Sequence, residues 1–262
     1  GSDCDDDDAL VGLDACTDEL LGTFTDDVSA AGRIASDVDA TYIAGAGVIV
    51  VVPHDGTAST TIDVIGDPIG LALDDVYVYF SEAASGVISR VPRDGGAAES
   101  VLGDTKGVAG GLTTDGAQLW IAVDSGVLGM ALDDGHTYAV VAAEAAPVGD
   151  VAVDAAGWTF TAGTEVRTMP FEACFDVEDA PPCPTVSTLT TGFDGTGIAI
   201  DDASVYWFDA TQSIVRYPRG GGTLEPVAAT VGSVGSDLTV VGDWLVYTDP
   251  AAGEVRRAVI TP

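Results

Sequence analysis

The feature that most constrains this chain is an internal repeat with a period near 40 residues. A short apolar stretch that ends in aspartate recurs along the sequence, as IASD at Asp37, LALD at Asp74, LTTD at Asp115, VAVD at Asp154 and IAID at Asp201, and a sixth copy, LTVV, has Val241 in that place. Successive copies are 37, 41, 39, 47 and 40 residues apart. Such a period indicates repeated supersecondary units and has to be settled before any other feature is interpreted.

Each unit continues in the same way after its aspartate. A second strand ends eight residues later in the first five copies, at Gly45, Glu82, Val123, Ala162 and Asp209. A third strand then ends at Pro53, Pro92, Leu132, Pro170 or Pro218. A turn such as HDGT, RDGG or RGGG and a fourth strand complete the unit, and the one long spacing contains the insertion between Cys174 and Cys183.

Six units of four alternating strands predict an all-β fold, a six-bladed β-propeller. The last unit lacks a fourth strand, while a spare strand, LLGTFTDDVS around Phe24, precedes the first unit. We expect this early strand to complete the sixth blade, which would close the ring and leave no free sheet edge there. An open pair of two-sheet sandwiches would explain the strand content but not the constant eight-residue step.

The cysteines and the termini predict the domain limits. Four cysteines form two pairs that are local in sequence, Cys4 with Cys16 and Cys174 with Cys183, which predicts two disulfides and an oxidising compartment. We expect residues 1–20 to be an acidic leader held by the first disulfide and residues 21–262 to be the propeller. Helix is expected at most between Ala9 and Leu21, because no 3.6-residue period occurs elsewhere.

The charge of the chain excludes some partners. It carries 42 acidic against 9 basic side chains, a net charge of −33. Such a surface repels phosphate, so we expect neither nucleic acid nor an anionic membrane as a partner. No apolar run approaches the ~20 residues of a membrane span. A solvated acidic shell is the simpler explanation of the charge, and a site for a divalent cation such as Ca²⁺ is the sharper one.

Three strand pairs carry a motif that resembles a known family. VYFSE at Val78–Glu82, VYWFD at Val205–Asp209 and LVYTD at Leu245–Asp249 are each followed by an arginine of the third strand: Arg90, Arg216 and Arg257. The pattern resembles the YWTD repeat of low-density-lipoprotein-receptor-type propellers and of exported bacterial propeller lipoproteins. The other three units have Gly45, Val123 and Ala162 at the acidic position, so a regular acid-to-arginine clamp would be incomplete.

The resemblance implies binding and scaffolding outside the cytoplasm and supplies no catalytic residues. We interpret the acids and arginines at neighbouring strand ends as structural pairs. The expected function is a non-catalytic binding or scaffold propeller at the bacterial cell surface or in the periplasm. Its partner would be a protein or a small polar ligand, and we expect a monomer.

The strand pattern also predicts which residues lie at one end of the axial channel. This end, here called the mouth, is formed by the loops that lead into each first strand. The residue two positions before each repeat anchor is small, so by alternation the residue four positions before should lie in a ring at the mouth. That ring reads Arg33, Gly70, Gly111, Asp150, Gly197 and Asp237. We expect Arg33 to pair with Asp237 and Asp150 to lack a partner.

This ring is the candidate ligand site, with Asp67, Lys106 and Asp194 in nearby loops. Asp150 and Asp237 are the candidate Ca²⁺ ligands, and a water-filled channel with stray charges is the simpler alternative. A second site for partner binding is predicted at the disulfide-held hairpin within Phe175–Pro184, the longest insertion of the repeat.

An enzyme of the lactonase or lyase type is the alternative function. Gluconolactonase-like propellers bind a metal partly through asparagine, and this chain contains no asparagine. Its two histidines, His54 and His136, fall in turns on the face opposite the mouth, which disfavours a Ser-His-Asp site. A lectin-like module would need exposed aromatic side chains, but Trp120, Trp207 and Trp244 lie in predicted strands, and we expect them in the core. The position of Trp158, directly after a glycine, stays open.

Overall fold

The protein is a ring of six four-stranded antiparallel sheets. The computed structural model describes residues 18–24, 33–82, 84–103, 105, 110–124, 126–142, 146–171, 186–193, 195, 197–228 and 237–260. Residues 1–17 of the predicted leader, all four cysteines and the insertion at Phe175–Pro184 lie outside these residues. Among the described residues no helix forms, and so none that could span a bilayer.

The strands follow the repeat. Blade 1 contains β2 (Ile34–Ser36), β3 (Ala40–Gly45), β4 (Val48–Pro53) and β5 (Thr60–Asp63). Blade 2 contains β6 (Pro68–Leu73), β7 (Tyr77–Glu82), β8 (Ile88–Pro92) and β9 (Glu99–Leu102). Blade 3 contains β10 (Leu112–Thr114), β11 (Gln118–Val123), β12 (Gly126–Ala131) and β13 (Thr137–Ala142).

The second half of the chain repeats this order. Blade 4 contains β14 (Val148–Asp154), β15 (Gly157–Ala162), β16 (Glu165–Pro170) and β17 (Ser187–Thr191). Blade 5 contains β18 (Ala199–Ile200), β19 (Ser204–Phe208), β20 (Ile214–Pro218) and β21 (Glu225–Ala228). Blade 6 contains β22 (Leu238–Val241), β23 (Trp244–Asp249), β24 (Glu254–Val259) and, from the start of the chain, β1 (Asp18–Thr23).

The predicted closure of the ring by the early strand is confirmed. Strand β1 pairs antiparallel with β24, and Asp18 lies opposite Ala258. The Asp18 carboxylate accepts hydrogen bonds from the Tyr247 hydroxyl at 2.7 Å and from Arg256 at 2.8 Å. Leu21 and Phe24 are buried between blades 6 and 1. The strand overlaps residues 18–20 of the predicted leader.

The recurring aspartate has a local cause, because its carboxylate organises the turn between the first two strands of a blade. Asp74 Oδ1 accepts the backbone N–H groups of Val76 and Tyr77, both at 2.7 Å. Equivalent pairs of bonds occur at Asp37, Asp115, Asp154 and Asp201. Aspartate side chains stabilise turns in this way. In blade 6, where Val241 replaces the aspartate, the turn instead places Gly242 at a φ of +60°.

The core consists of the interfaces between blades. Six clusters of buried apolar side chains form, one between each pair of neighbouring sheets. The alternation along each second strand supplies both faces of these interfaces. Trp120, Trp158 and Trp207 belong to the clusters, each at most 4% exposed. Trp244, expected in the core, is half-buried with Arg257 stacked 4.2 Å above its ring.

The arginines of the third strands pair differently from the expected clamp. Arg90 binds Glu99, and Arg216 binds Glu225, in each case a carboxylate of the adjacent fourth strand. Arg257 binds Glu19 of β1 in the same register. The pairs are structural, but these partners are not the predicted Glu82, Asp209 and Asp249. Those three carboxylates accept hydrogen bonds from residues that follow them in the chain, namely Ser85 and Ser89, Thr211 and Ser213, and Ala251.

Two other arginines link neighbouring blades. Arg93, in the turn after β8, binds the repeat aspartate Asp37 of blade 1 and donates a hydrogen bond to the Tyr42 hydroxyl at 3.0 Å. Arg219, in the turn after β20, binds Asp154 of blade 4 in the same way. These inter-blade clamps explain why VPRDGG and YPRGGG are so alike. Both turns place an arginine directly after the proline.

Candidate functional site: the axial channel

The six positions predicted for the mouth do lie together in one buried ring. A side chain added at Gly197 would meet Asp237, Arg33 and Asp150, and one added at Gly111 would overlap Asp150. Asp150 and Asp237 are each only 6% exposed. We call Arg33, Gly70, Gly111, Asp150, Gly197 and Asp237 the buried ring.

The guanidinium of Arg33 crosses the ring. Its Nη1 lies 2.7 Å from Asp150 Oδ2 in blade 4, directly opposite its own blade, and 3.8 Å from Asp237 Oδ1 in the neighbouring blade 6. Its Nη2 donates to the Gly149 carbonyl at 3.2 Å. The expected contact between Arg33 and Asp237 is therefore present but long. The expectation that Asp150 lacks a partner was wrong, because an arginine side chain is long enough to reach the far side of the ring.

The two buried carboxylates also cap backbone groups of the next blade. Asp150 Oδ2 accepts the Ile198 N–H of blade 5 at 2.8 Å, and Asp237 Oδ2 accepts the Ile34 N–H of blade 1 at 2.9 Å. The backbone N–H of each aspartate in turn donates to a threonine hydroxyl of its own second strand, Thr161 or Thr248. Buried carboxylates need such donors, so both aspartates have a structural role.

Glycine at the other ring positions makes room for these contacts. At Gly111 and Gly197 any side chain would occupy the space of the Asp150 and Asp237 carboxylates or of the Arg33 guanidinium. At Gly70 a Cβ would lie 2.7 Å from the Gly110 carbonyl oxygen. Glycine at three of the six ring positions therefore lets one guanidinium and two carboxylates share the axis.

The buried ring holds one positive and two negative side chains, and the pKa values reflect this imbalance. Burial alone would lower the pKa of Arg33, but the Asp150 and Asp237 carboxylates outweigh burial and raise it. Burial raises the pKa of Asp237 to about 6, since Arg33, which acts to lower it, does not offset burial together with the charge of Asp150.

A cavity of about 230 Å³ occupies the axis beside the ring. Its wall is built from the six first strands, and it extends from Arg33, Asp150 and Asp237 at one end to Ser36, Leu73, Thr114, Val153 and Val240 at the other. The residues that directly follow the ring positions, such as Leu71, Val151 and Leu238, are buried, whereas those directly before the repeat anchors are all half-buried. Side chains of the buried ring thus meet across the axis at one end of the cavity, here called the closed end. The opposite end, here called the open end, lies at the face that carries the first turns of the blades. We call this face the turn face.

Two hydroxyl groups stand between these ends. Thr113 of blade 3 and Thr239 of blade 6 are half-buried wall residues on opposite sides of the axis. The other two hydroxyl groups of the wall form hydrogen bonds within the chain. Ser36 Oγ donates to the Ala40 carbonyl, and Thr114 Oγ1 donates to the Gln118 carbonyl. Sequence reasoning considered Thr113 and Thr239 only as small residues, because their spacing gave no sign that the cavity lies there.

Of the remaining predicted site residues, the structure describes only Asp67, and Asp67 does not join the ring. Asp67 is exposed just before β6 and does not line the cavity. Lys106 and Asp194 lie outside the described residues. Within the described part of the chain, no three or more histidine, cysteine, aspartate or glutamate side chains cluster as metal ligands would. A Ca²⁺ site at Asp150 and Asp237 stays a prediction, and any cation there would compete with Arg33 for their oxygens.

Neither histidine contributes to the channel wall. His54, in the turn after β4, has Nε2 2.9 Å from Thr41 Oγ1 and Nδ1 3.2 Å from the Val38 carbonyl. Burial lowers the pKa of His54, which favours the neutral ring that these contacts use. His136 lies just before β13, also at the turn face. Both positions agree with the prediction that they lie opposite the mouth.

The comparisons with known proteins show the fold and nothing finer. No protein-family model and no curated protein matches the sequence. Among solved structures, a nidogen and laminin complex is similar to this chain with a TM-score of 0.60 and 16% identity over 81% of each chain. A Bacteroides thetaiotaomicron protein of unknown function gives 0.67 and 11% identity over 92% of this chain and 75% of its own.

An enzyme shares the fold equally well. Virginiamycin B lyase from Staphylococcus aureus, in a catalytically inactive form with quinupristin, has a TM-score of 0.65 and 12% identity over 93% of this chain and 99% of its own. At such identities the likeness establishes a six-bladed propeller, which is a fold that hosts both binding proteins and enzymes. The YWTD resemblance is supported as far as the propeller fold.

Proposed function

We propose that this protein is a non-catalytic recognition propeller that binds a small ligand in its axial channel. One observation carries the proposal: an axial cavity of about 230 Å³ has Arg33, Asp150 and Asp237 at one end. A cleft with a few convergent polar groups is the usual form of a small-molecule site. A general base or nucleophile must be positioned for a substrate, whereas Asp150 and Asp237 each accept a backbone N–H of the next blade, which is a structural role.

We propose further that the protein works outside the cytoplasm, at the cell surface or in the periplasm. The acidic composition and the local cysteine pairs support this location. Two propeller structures are similar to this chain. One is the complex of nidogen with laminin, and the other is PorZ, described as a bacterial surface component of the type-IX secretion system. They agree with such a role through their fold alone.

A ligand-observed NMR fragment screen on the full chain tests the channel as the binding site. The comparison protein carries Thr239→Phe, which fills the cavity, and Asp67→Asn serves as a matched surface control. We expect fragment signals with the wild type and with Asp67→Asn and their loss with Thr239→Phe. If no fragment binds, or if every hit persists with the filled channel, the proposed function is wrong.

A further inference from the structure

The buried ring leaves one negative charge without a partner at the closed end of the channel. Asp150 and Asp237 face a single guanidinium, and Arg33 lies at 2.7 Å from the first but at 3.8 Å from the second. Both carboxylates are 6% exposed, so water screens the excess charge poorly. The raised pKa of Asp237 agrees with this imbalance. A positive group near Asp237 would stabilise its ionised form.

The rest of the wall combines polar and apolar residues, so it can contact both parts of an organic cation. Between the ring and the open end, aliphatic residues such as Ala72 and Ile200 line it beside Ser36, Thr113, Thr114 and Thr239. Three residue steps along a first strand separate the ring from the half-buried tier at the open end, a depth of about 10 Å. The two threonine hydroxyls, Thr113 and Thr239, lie within this depth and can accept a hydrogen bond.

An anion is disfavoured at this site on two grounds. Among the residues that the structure describes, the only cationic side chain of the wall is Arg33, whose Nη1 and Nη2 are directed at Asp150 and the Gly149 carbonyl. The whole chain also carries a net charge of −33, which attracts cations to a low-dielectric cleft and repels anions.

From these observations, and resting on the proposed function, we infer that the axial channel binds a small aliphatic ammonium ion that enters from the turn face. The ammonium lies against Asp237 at the closed end, and the carbon chain extends along the axis between the first strands. The same chemistry could belong to a free amine or to a lysine side chain of a partner protein. The test distinguishes the two sources by comparing a free amine with a peptide that carries the same ammonium group on a lysine side chain.

Isothermal titration calorimetry of the full chain at pH 7.5 provides the test, with n-butylammonium, n-butanoate, n-butanol and CaCl₂ as separate titrants. A lysine-containing tripeptide with blocked ends tests the side-chain source. We expect n-butylammonium to bind at least tenfold more tightly than either uncharged or anionic analogue. If the tripeptide binds as well as n-butylammonium, a partner's lysine is the source, and if it does not, the ligand is a free amine.

Variants locate the ligand. Asp237→Asn removes the excess charge and should weaken n-butylammonium at least tenfold, whereas Asp67→Asn should leave it unchanged. Because Asp237→Asn could also disturb the ring, Thr239→Val provides a second variant, expected to weaken binding several-fold without changing the unfolding temperature.

The outcomes separate this inference from the proposed function. Equal binding of butylammonium and butanol, binding of Ca²⁺ alone, or butylammonium binding unaffected by Asp237→Asn would overturn the ammonium site. Fragments of another class that depend on an open channel would still uphold the proposed function.

Discussion

Arg33 Nη1 and Asp150 Oδ2 are 2.7 Å apart, although the two residues belong to opposite blades of the ring. This contact spans the axis, and Asp237 completes it from a third blade. The two residues are 117 positions apart in the sequence, so the contact forms only when the blades are arranged in the ring. The pair therefore reports on the closed ring as a whole.

Loss of the Arg33 charge should lower the free energy of unfolding substantially. Arg33→Met leaves two buried carboxylates without a counter-ion, and removal of one partner from a buried pair costs about 3–5 kcal/mol. Chemical denaturation at pH 7.5 measures the free energy of unfolding. Arg90→Met, which breaks the more exposed pair with Glu99, is the control and should cost at most about 1 kcal/mol. Equal effects of the two substitutions would contradict the role of Arg33.

Space at the ring depends on glycine. Gly111→Ala places a methyl group over the Asp150 carboxylate and should destabilise the protein by about 1–3 kcal/mol, the usual cost of overpacking. Gly103→Ala is the matched control, because a Cβ there meets no atom within 4 Å. Thermal unfolding compares the two, and a Gly111→Ala protein as stable as Gly103→Ala would count against the ring geometry.

The inter-blade clamps should show coupling between residues of different blades. A double-mutant cycle with Arg93→Met and Asp37→Asn measures the interaction energy between blades 1 and 2. We expect about 1–2 kcal/mol, since the pair is partly buried and Asp37 also accepts two backbone N–H groups. The exposed pair Arg216 and Glu225 should give less. A coupling energy near zero for Arg93 and Asp37 would contradict the clamp.

The first strand should stabilise the ring through its buried side chains. Leu21→Ala removes an apolar side chain that is 5% exposed between blades 6 and 1, and it should cost about 2–5 kcal/mol. Leu20→Ala is the control on the same strand, because Leu20 is 47% exposed. Similar unfolding midpoints for the two variants in guanidinium chloride would argue against closure of the ring by β1.

Stability should depend on pH through Asp237. Its pKa in the folded protein, about 6, lies above the ordinary 3.8, so the folded state holds more protons between these values. Stability must therefore fall as the pH rises from about 4 to 6, by up to ~3 kcal/mol at about 1.4 kcal/mol for each pKa unit. Asp37 and Asp74 have lowered pKa values and act in the opposite sense below about pH 4. Asp237→Asn should remove the loss between pH 4 and 6, as measured by urea unfolding across that range.

The sequence predicted the architecture because the repeat is written in local signals. An aspartate that caps its own turn, as Asp74 does, must recur wherever the same turn recurs. A proline at the last position of a third strand marks the end of that strand in the same way. Six such units, with an early strand to complete the last one, predict a closed six-bladed propeller.

The site was only half predictable, because its contacts cross the ring. Alternation identified which residues share the ring, yet the partner of Arg33 depends on the diameter of the axis and on the reach of the side chain. Spacing suggested the neighbouring Asp237, and the closer contact is with Asp150 on the far side. The clamps of Arg93 and Arg219 escaped notice for the same reason, since each binds an aspartate of the preceding blade.

The central claim is that two buried carboxylates share one guanidinium at the closed end of the channel. The most direct measurement is an NMR titration of the aspartate carboxyl carbons in the wild type, with the Asp237 signal assigned from Asp237→Asn. We predict that this carboxyl titrates near pH 6, above the ordinary aspartate value of 3.8. Titration near pH 4 would show that the charge of Asp237 is fully compensated, and the ammonium site would lose its physical basis.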